Sequence, residues 1–169
     1  MCFQKSIPEY VLVKRLNDNA SAWAGGDNTR FASKNECDFI LFDTKRKIFL
    51  GCELKTTSHK SLTYWREDFN NKNQNFMIKK SQIQGLKKWS LFKNTVCGFV
   101  INFSSFNNDT FFVHIKDFLK YTSQLSKKSI NYNDVQKMNG IKINNQLKKT
   151  NYKYDIENFL VDSKRFVSD

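Results

Sequence analysis

The sequence has little of several residue types, and each shortage excludes a class of protein. Of its 169 residues, one is proline and six are glycine, which excludes collagen-like and proline-rich chains. No apolar run approaches the ~18 residues that span a membrane, and the first residues lack the apolar stretch of a secretory signal. Hydrophobic residues make up 40% of the chain and aromatic residues 15%, which is too many for a disordered segment. The sequence therefore predicts one soluble, cytoplasmic domain.

Acidic residues are also scarce. Sixteen Asp and Glu stand against 28 Lys and Arg, which gives a formal net charge of +12 at pH 7. A charge of this size favours polyanionic partners, and nucleic acid is the commonest polyanion in a cell. Nucleases, transcription factors and ribosomal proteins share this composition with some basic proteins that bind no nucleic acid, so charge alone does not identify the partner.

Cysteine and histidine are too few and too scattered for an evident zinc site. No two of the four cysteines have the C-x-x-C spacing of zinc or redox sites; they are Cys2, Cys37, Cys52 and Cys97. The last three lie within apolar runs, where free cysteine behaves as a small hydrophobic residue. We therefore expect reduced cysteines in the core rather than zinc ligands acting with His59 or His114.

The hydrophobic pattern predicts strands and helices in alternation. Strands are expected over 10–16, 37–42, 48–55, 96–103 and 110–115, and helices over 78–93 and 116–125. The polar connection 56–77 shows no clear pattern. Residues 1–125 are expected to form the core domain, on which a basic, tyrosine-containing segment, 126–169, packs.

The strands 37–42 and 48–55 read as a β-hairpin with its turn at 43–47. If Lys45 and Arg46 are the two residues at the tip of the turn, Asp38 lies opposite Glu53, whereas a bulge at the turn would shift this register by one residue. Because side chains alternate faces along a strand, Asp38, Glu53 and Lys55 share one face. The other face, from Cys37 to Leu54, is almost wholly apolar and is expected to pack on the core.

This arrangement of Asp38, Glu53 and Lys55 suits metal-assisted hydrolysis of a phosphodiester. Mg²⁺ binds one or two carboxylates together with water and substrate phosphate, so Asp38 and Glu53 can share one ion, with the Leu54 carbonyl as a further ligand. We expect Mn²⁺ to substitute. The ion polarises the phosphate, and Lys55 orients the attacking water or stabilises the developing charge. The alternative is a solvated ionic edge in which Glu36 and Lys55 form a surface pair.

These residues resemble the PD-(D/E)xK nuclease signature, without the proline that names it. The order of features is similar, more specifically, to that of the RecU-type Holliday-junction resolvases. Over about residues 6–120, the features are Gly-Gly-Asp-Asn-Thr-Arg-Phe at 25–31, the Asp38 strand, the Glu53-Leu54-Lys55 strand, Ser-Gln-Ile-Gln-Gly-Leu at 81–86 and Gly-Phe-Val-Ile-Asn-Phe at 98–103.

The resemblance implies an α/β fold, namely a restriction-endonuclease-like mixed central sheet flanked by helices, here with a basic C-terminal extension. It also implies a homodimeric, Mg²⁺-dependent endonuclease that resolves four-way DNA junctions in recombination or repair. In that family's terms Asp38 and Glu53 bind the metal, Lys55 is the catalytic lysine, and Gln82 matches a helix glutamine near the active site.

Two features depart from the family pattern. Its members usually begin with a helix that carries a Phe-Glu pair, and that helix is expected to be shortened or absent here. A His usually precedes the helix glutamine, and this chain has Ser81.

Contacts with DNA phosphates are expected from basic residues in the first loop, the predicted helix and the tail: Arg30, Lys79, Lys80, Lys87, Lys148 and Lys149. Two other functions stay open at this point. One is a site-specific or nicking DNA endonuclease of the same fold. The other is a DNA-binding relative whose catalysis is impaired.

Overall fold

A computed structural model describes residues 3–16, 35–68 and 75–167, and a six-stranded mixed sheet lies at its centre. The strands are β1 (Val11–Arg15), β2 (Phe39–Asp43), β3 (Ile48–Thr57), β4 (Ser61–Thr63), β5 (Thr95–Phe103), β6 (Asp109–His114), β7 (Ser129–Asn131), β8 (Ile141–Ile143), β9 (Asn145–Lys148) and β10 (Asn151–Tyr154). The helices are α1 (Lys80–Trp89), α2 (Ile115–Thr122), α3 (Tyr132–Lys137) and α4 (Ile156–Ser163). The predicted α/β fold, with a mixed central sheet flanked by helices, is confirmed.

The central sheet places β3 in its interior. Its strand order is β1-β2-β3-β5-β6-β8, and β3 and β5 run parallel while every other pair is antiparallel. Parallel neighbours need a crossover connection, and α1 lies in the chain between these two strands. The strand that carries Glu53 and Lys55 is therefore held on one side by the β2 hairpin and on the other by β5.

Both faces of the sheet are covered. One face packs under α1, α2 and α3, with fully buried side chains that include Leu86, Phe99, Phe118 and Val135. The other face packs under α4 and the first described residues, with Phe3, Leu50, Phe112 and Phe159. Each such side chain contributes roughly 1.5–3 kcal/mol by leaving water. No helix among the described residues is long and apolar enough to cross a membrane.

Several short strands lie in segments that show no hydrophobic alternation. β4 pairs with β7, and β9 pairs with β10. β8 pairs with β6 and extends the central sheet, while α4 buries Ile156, Phe159 and Leu160. Strands of three or four residues are too short to show an alternation of apolar and polar positions, so the sequence did not predict them.

The cysteines at 37, 52 and 97 are buried and free, as predicted, while Cys2 lies outside the described residues. Burial raises the pKa of the Cys37 thiol to about 12 and that of Cys97 to about 11, so neither is a thiolate at neutral pH. The expectation that Cys37 shares a face with Leu54 is wrong. Cys37 packs on the α1 side of the sheet, because it precedes the first residue of β2 and the strand alternation does not reach it.

His114 is a buried titratable group of the core. Its ring stacks on Phe166 with centroids 4.7 Å apart, and its Nδ1 accepts a hydrogen bond from the Lys116 N–H at 3.3 Å, which caps α2. Burial first, and the charge of Lys116 second, lower the pKa of His114 from 6.5 to about 4. The folded protein therefore excludes a proton that the unfolded chain binds.

We predict that acid weakens the fold through His114. As the pH drops from 6.5 to about 4, the free energy of unfolding falls by about 3 kcal/mol in total. Below that range the contribution of His114 no longer changes with pH. A His114→Asn variant keeps an acceptor for the helix cap but does not titrate. Urea unfolding at pH 7, 5.5 and 4.5 is expected to give a shallower pH slope for this variant, and equal slopes would contradict the assignment.

Candidate active site

Asp38 reaches β3 at the point where β2 begins. Phe39 pairs with Cys52, and the Asp38 N–H donates to the Cys52 carbonyl at 3.1 Å. The Leu54 N–H in turn donates to Asp38 Oδ2 at 2.7 Å. Because the N–H and C=O of a strand residue point toward the same neighbour, the Leu54 carbonyl also faces the side of Asp38. The register brings an acidic side chain and a backbone carbonyl together between Glu53 and Lys55.

Glu53 is a buried carboxylate, only 3% exposed. Its Oε1 lies 2.7 Å from Lys55 Nζ, since side chains two positions apart on a strand share a face. A buried carboxylate costs several kcal/mol unless it is paired and hydrogen-bonded. Lys55 thus pairs with Glu53 on its own strand, where the ionic-edge alternative expected a surface pair with Glu36.

Helix α1 directs its first turn at Glu53. The Lys79 N–H donates to Gln82 Oε1 at 2.9 Å, which fixes the Gln82 amide at the start of the helix. The Nε2 group of the same amide then donates to Glu53 Oε1. Glu53 is held by Lys55 along the strand and by Gln82 from the helix, so the orientation of its carboxylate is set from two directions.

The donor set at this point is one of hard oxygen ligands. It comprises two carboxylates, Asp38 and Glu53, and the carbonyl of Leu54. Mg²⁺ prefers such oxygens and leaves its other positions to water and substrate phosphate, so the residues present fit this ion. Within residues 3–16, 35–68 and 75–167, no group of three or more His, Cys, Asp or Glu side chains could hold a metal.

Gly85 lets α1 approach the segment that leads into Asp38. A β-carbon at this position would lie 2.5 Å from Glu36 Cβ and 2.6 Å from its Cγ, well inside van der Waals contact. Glycine in the middle of a helix costs about 1 kcal/mol relative to alanine. The close approach offsets that cost and holds Gln82, one turn earlier, against Glu53.

Five of the basic residues predicted to contact phosphate are exposed: Lys79, Lys80 and Lys87 at or on α1, and Lys148 and Lys149 at the β9–β10 turn. Arg30, together with the 25–31 stretch, lies outside the described residues. The structure brings Asp38, Glu53, Leu54, Lys55 and Gln82 to one place, and their roles in catalysis and metal binding stay predictions.

Sequence reasoning missed two features, one at this site and one beside the end of β3. One is Gly85, although an isolated glycine within a helical pattern signals a close approach of backbone. The other is the β9–β10 hairpin, whose polar strands carry no alternation signal. In its two-residue turn Lys149 has a φ of 54°, a left-handed conformation that a lysine in the sequence does not predict.

No protein-family model matches the chain. The SPbeta prophage-derived uncharacterized protein YotM of Bacillus subtilis (strain 168) is 32% identical over 134 residues, which are 72% of this chain and 63% of that protein. The match therefore spans less than two thirds of the relative's length. Among solved structures, Hjc of Archaeoglobus fulgidus, a Holliday junction resolvase, aligns over 79% of this chain and 83% of its own, with 13% identity and a TM-score of 0.45.

Proposed function

We propose that this protein is a Mg²⁺-dependent DNA endonuclease that cuts branched DNA, four-way junctions above all, in recombination or repair. One observation carries the proposal: the Asp38 carboxylate on the Leu54 backbone and the Lys55–Glu53–Gln82 contacts meet on one segment of β3. Two carboxylates, a lysine and a basic surface are the parts that hydrolysis of a nucleic-acid phosphodiester needs.

Each residue has a distinct part in this scheme. Asp38, Glu53 and the Leu54 carbonyl hold the ion, for which Mn²⁺ substitutes; when bound, it polarises the scissile phosphate and lowers the pKa of a water. Lys55 places a positive charge beside Glu53, where it stabilises negative charge that develops on the phosphate oxygens. Gln82 keeps the Glu53 carboxylate in one orientation, as outer hydrogen bonds to metal ligands do.

The exposed lysines bind the substrate backbone in this scheme. Each lysine that neutralises a phosphate releases counterions, so affinity for DNA falls steeply with salt. Resolving a junction takes two symmetric cuts, which requires two copies of the site. We therefore propose that the working unit is a homodimer with two-fold symmetry.

The direct test is cleavage of a labelled four-way junction, beside a linear duplex of the same sequence, in Mg²⁺, in Mn²⁺ and in EDTA. We expect paired symmetric nicks on the junction with either ion and none in EDTA. Equal cutting of the duplex would favour a site-specific or nicking enzyme of the same fold. Junction binding without cutting in either metal would favour a DNA-binding relative, and neither binding nor cutting would contradict all three.

A further prediction concerns the contact between Gly85 and Glu36. Gly85→Ala displaces α1 and with it Gln82, and a misplacement of about 1 Å near reacting groups can cost up to about 100-fold in rate. We expect the single-turnover cleavage rate to fall by about 10- to 100-fold, with junction affinity unchanged. Gln84→Ala, at an exposed position of the same helix, is the control. A Gly85→Ala enzyme as fast as the control would show that this contact does not position the site.

A further inference from the structure

The β9–β10 hairpin is a basic arm near the end of β3. Its register sets Asn151 opposite Lys148, so Lys149 and Thr150 form the turn. Residues 145–154 contain three lysines, Lys148, Lys149 and Lys153, and no acidic residue. All three are exposed, and none forms a salt bridge with a carboxylate of the described residues. Their charge is available to an anionic partner.

A slot of about 180 Å³ separates this hairpin from the end of the central sheet. Its walls carry uncharged hydrogen-bonding side chains, among them Thr56, Asn102 and Ser104 on the sheet and Thr150, Asn151 and Tyr152 on the hairpin. Thr56 directly follows Lys55 in β3. The slot therefore lies one residue along β3 from the proposed catalytic lysine, on the opposite face of the sheet.

The size and lining of the slot restrict what it can bind. Sites for whole small molecules usually enclose about 300–1,000 Å³, so this one takes a single ring system. Tyr152 lines the slot and is half-buried against the core on the α4 side of the sheet. Its aromatic ring beside neutral donors and acceptors suits a nucleobase, which stacks on its face and hydrogen-bonds at its edge.

We infer that the hairpin and the slot form a clamp for one unpaired nucleotide of the DNA strand being cut. Tyr152 and the polar side chains of the slot bind the base, while Lys148 and Lys149 bind the neighbouring phosphates. This inference rests on the proposed function and names the part of the substrate that the protein recognises. Lys55 and Thr56 point to opposite faces of the sheet. The bound DNA strand therefore passes over the end of the sheet, from the scissile phosphate on one face to the clamp on the other.

The clamp predicts a preference for branched DNA. A base inside a duplex enters a pocket only after it unpairs and leaves the stack, which costs a few kcal/mol of free energy. For a base that is already unpaired this cost is much smaller. Base pairs at a branch point can lose a stacking neighbour on one side, so a base there leaves the stack at a lower cost than one inside a duplex. The same site therefore selects junctions over linear DNA without reading their sequence.

The test uses a four-way junction that carries 2-aminopurine, a fluorescent adenine analogue, as an unpaired nucleotide at the branch point. Binding is followed in Ca²⁺, which occupies oxygen-ligand sites, with cleavage measured separately in Mg²⁺. In the wild type we expect the 2-aminopurine fluorescence to change on binding as the base stacks in the slot. In Tyr152→Leu, which keeps an apolar side chain but no ring, we expect the change to vanish and affinity to fall about tenfold.

A charge variant with a matched control tests the arm itself. Lys149 and Lys47 are both exposed lysines in β-turns with φ of 54° and 55°, a conformation that asparagine tolerates. Lys47 lies at the opposite end of β3, about 26 Å from Lys55 along the strand at ~3.3 Å per residue. Lys149→Asn is expected to weaken junction binding about threefold or more. It is also expected to reduce the magnitude of the slope of log affinity against log salt concentration by about one. Lys47→Asn is expected to do neither.

The outcomes separate this inference from the proposed function. Normal junction cleavage with unchanged fluorescence, and with Tyr152→Leu and Lys149→Asn equal to the wild type, would overturn the clamp and leave the nuclease standing. A fluorescence change that depends on Tyr152, in a protein that cuts no DNA, would support the clamp and overturn the nuclease. An equal fluorescence change with fully paired duplex would also overturn the clamp, because it requires an unpaired base.

Discussion

Asp38→Asn is expected to abolish DNA cleavage, with a loss of at least about 1,000-fold, and to leave junction binding within about twofold of the wild type. The asparagine has the shape of the aspartate and can still accept the Leu54 N–H bond that Asp38 accepts at 2.7 Å. It lacks the negative charge that a divalent cation requires, so the change removes metal-assisted chemistry and spares the hairpin register. Single-turnover cleavage in Mg²⁺, beside junction affinity in Ca²⁺, measures both parts.

The matched control for this change is Asp162→Asn, which removes one negative charge from an exposed position on α4. It is expected to cleave at the wild-type rate. Melting curves of both variants show whether the fold is intact. If Asp38→Asn cuts as well as Asp162→Asn, Asp38 is not a metal ligand and the assigned site is wrong, whatever the substrate.

Gly98→Ala is expected to produce the largest loss of stability among single-methyl additions to the sheet. A β-carbon on Gly98 would lie 2.2 Å from the Val113 carbonyl oxygen and 2.8 Å from Phe112 Cζ. The oxygen belongs to the backbone of β6, so relief requires the β5 and β6 strands to separate rather than one side chain to rotate. We expect a cost of about 3 kcal/mol or more, which corresponds to a melting temperature about 6–12 °C lower for a chain of this size.

Gly51→Ala is the control for that prediction, because Gly51 lies in the neighbouring strand and faces a side chain. A β-carbon there would lie 3.1 Å from Trp89 Cε3 and 3.3 Å from Cys97 Sγ, and Trp89 is only partly buried. We expect a cost of about 1 kcal/mol or less. Equal melting temperatures for the two variants would mean that β5 and β6 accommodate the methyl group, against the geometry of their backbones.

The hairpin and the contents of the proposed site could be predicted from the sequence because the information is local. The interval from Asp38 to Glu53 holds two apolar strands and a turn, and a period of two residues assigns each side chain to a face. The buried strand of β5 and the helix α1 have equally clear patterns. This reasoning fails at the ends of elements, as it does for Cys37, because alternation stops where the strand stops, and it fails for strands of three or four residues, which are too short to show alternation.

The sequence by itself determined the α/β class, the hairpin register and the basic charge, since each depends on residue types and short periods. The tertiary structure alone decided that Gln82 contacts Glu53, that Gly85 lies against Glu36 and that the β9–β10 hairpin lies beside the Thr56 end of β3. These contacts join residues far apart in the chain, and their geometry depends on how α1 crosses from β3 to β5 and how the chain after residue 125 packs back on the sheet. Such relations follow from packing across the whole core, which no local pattern encodes.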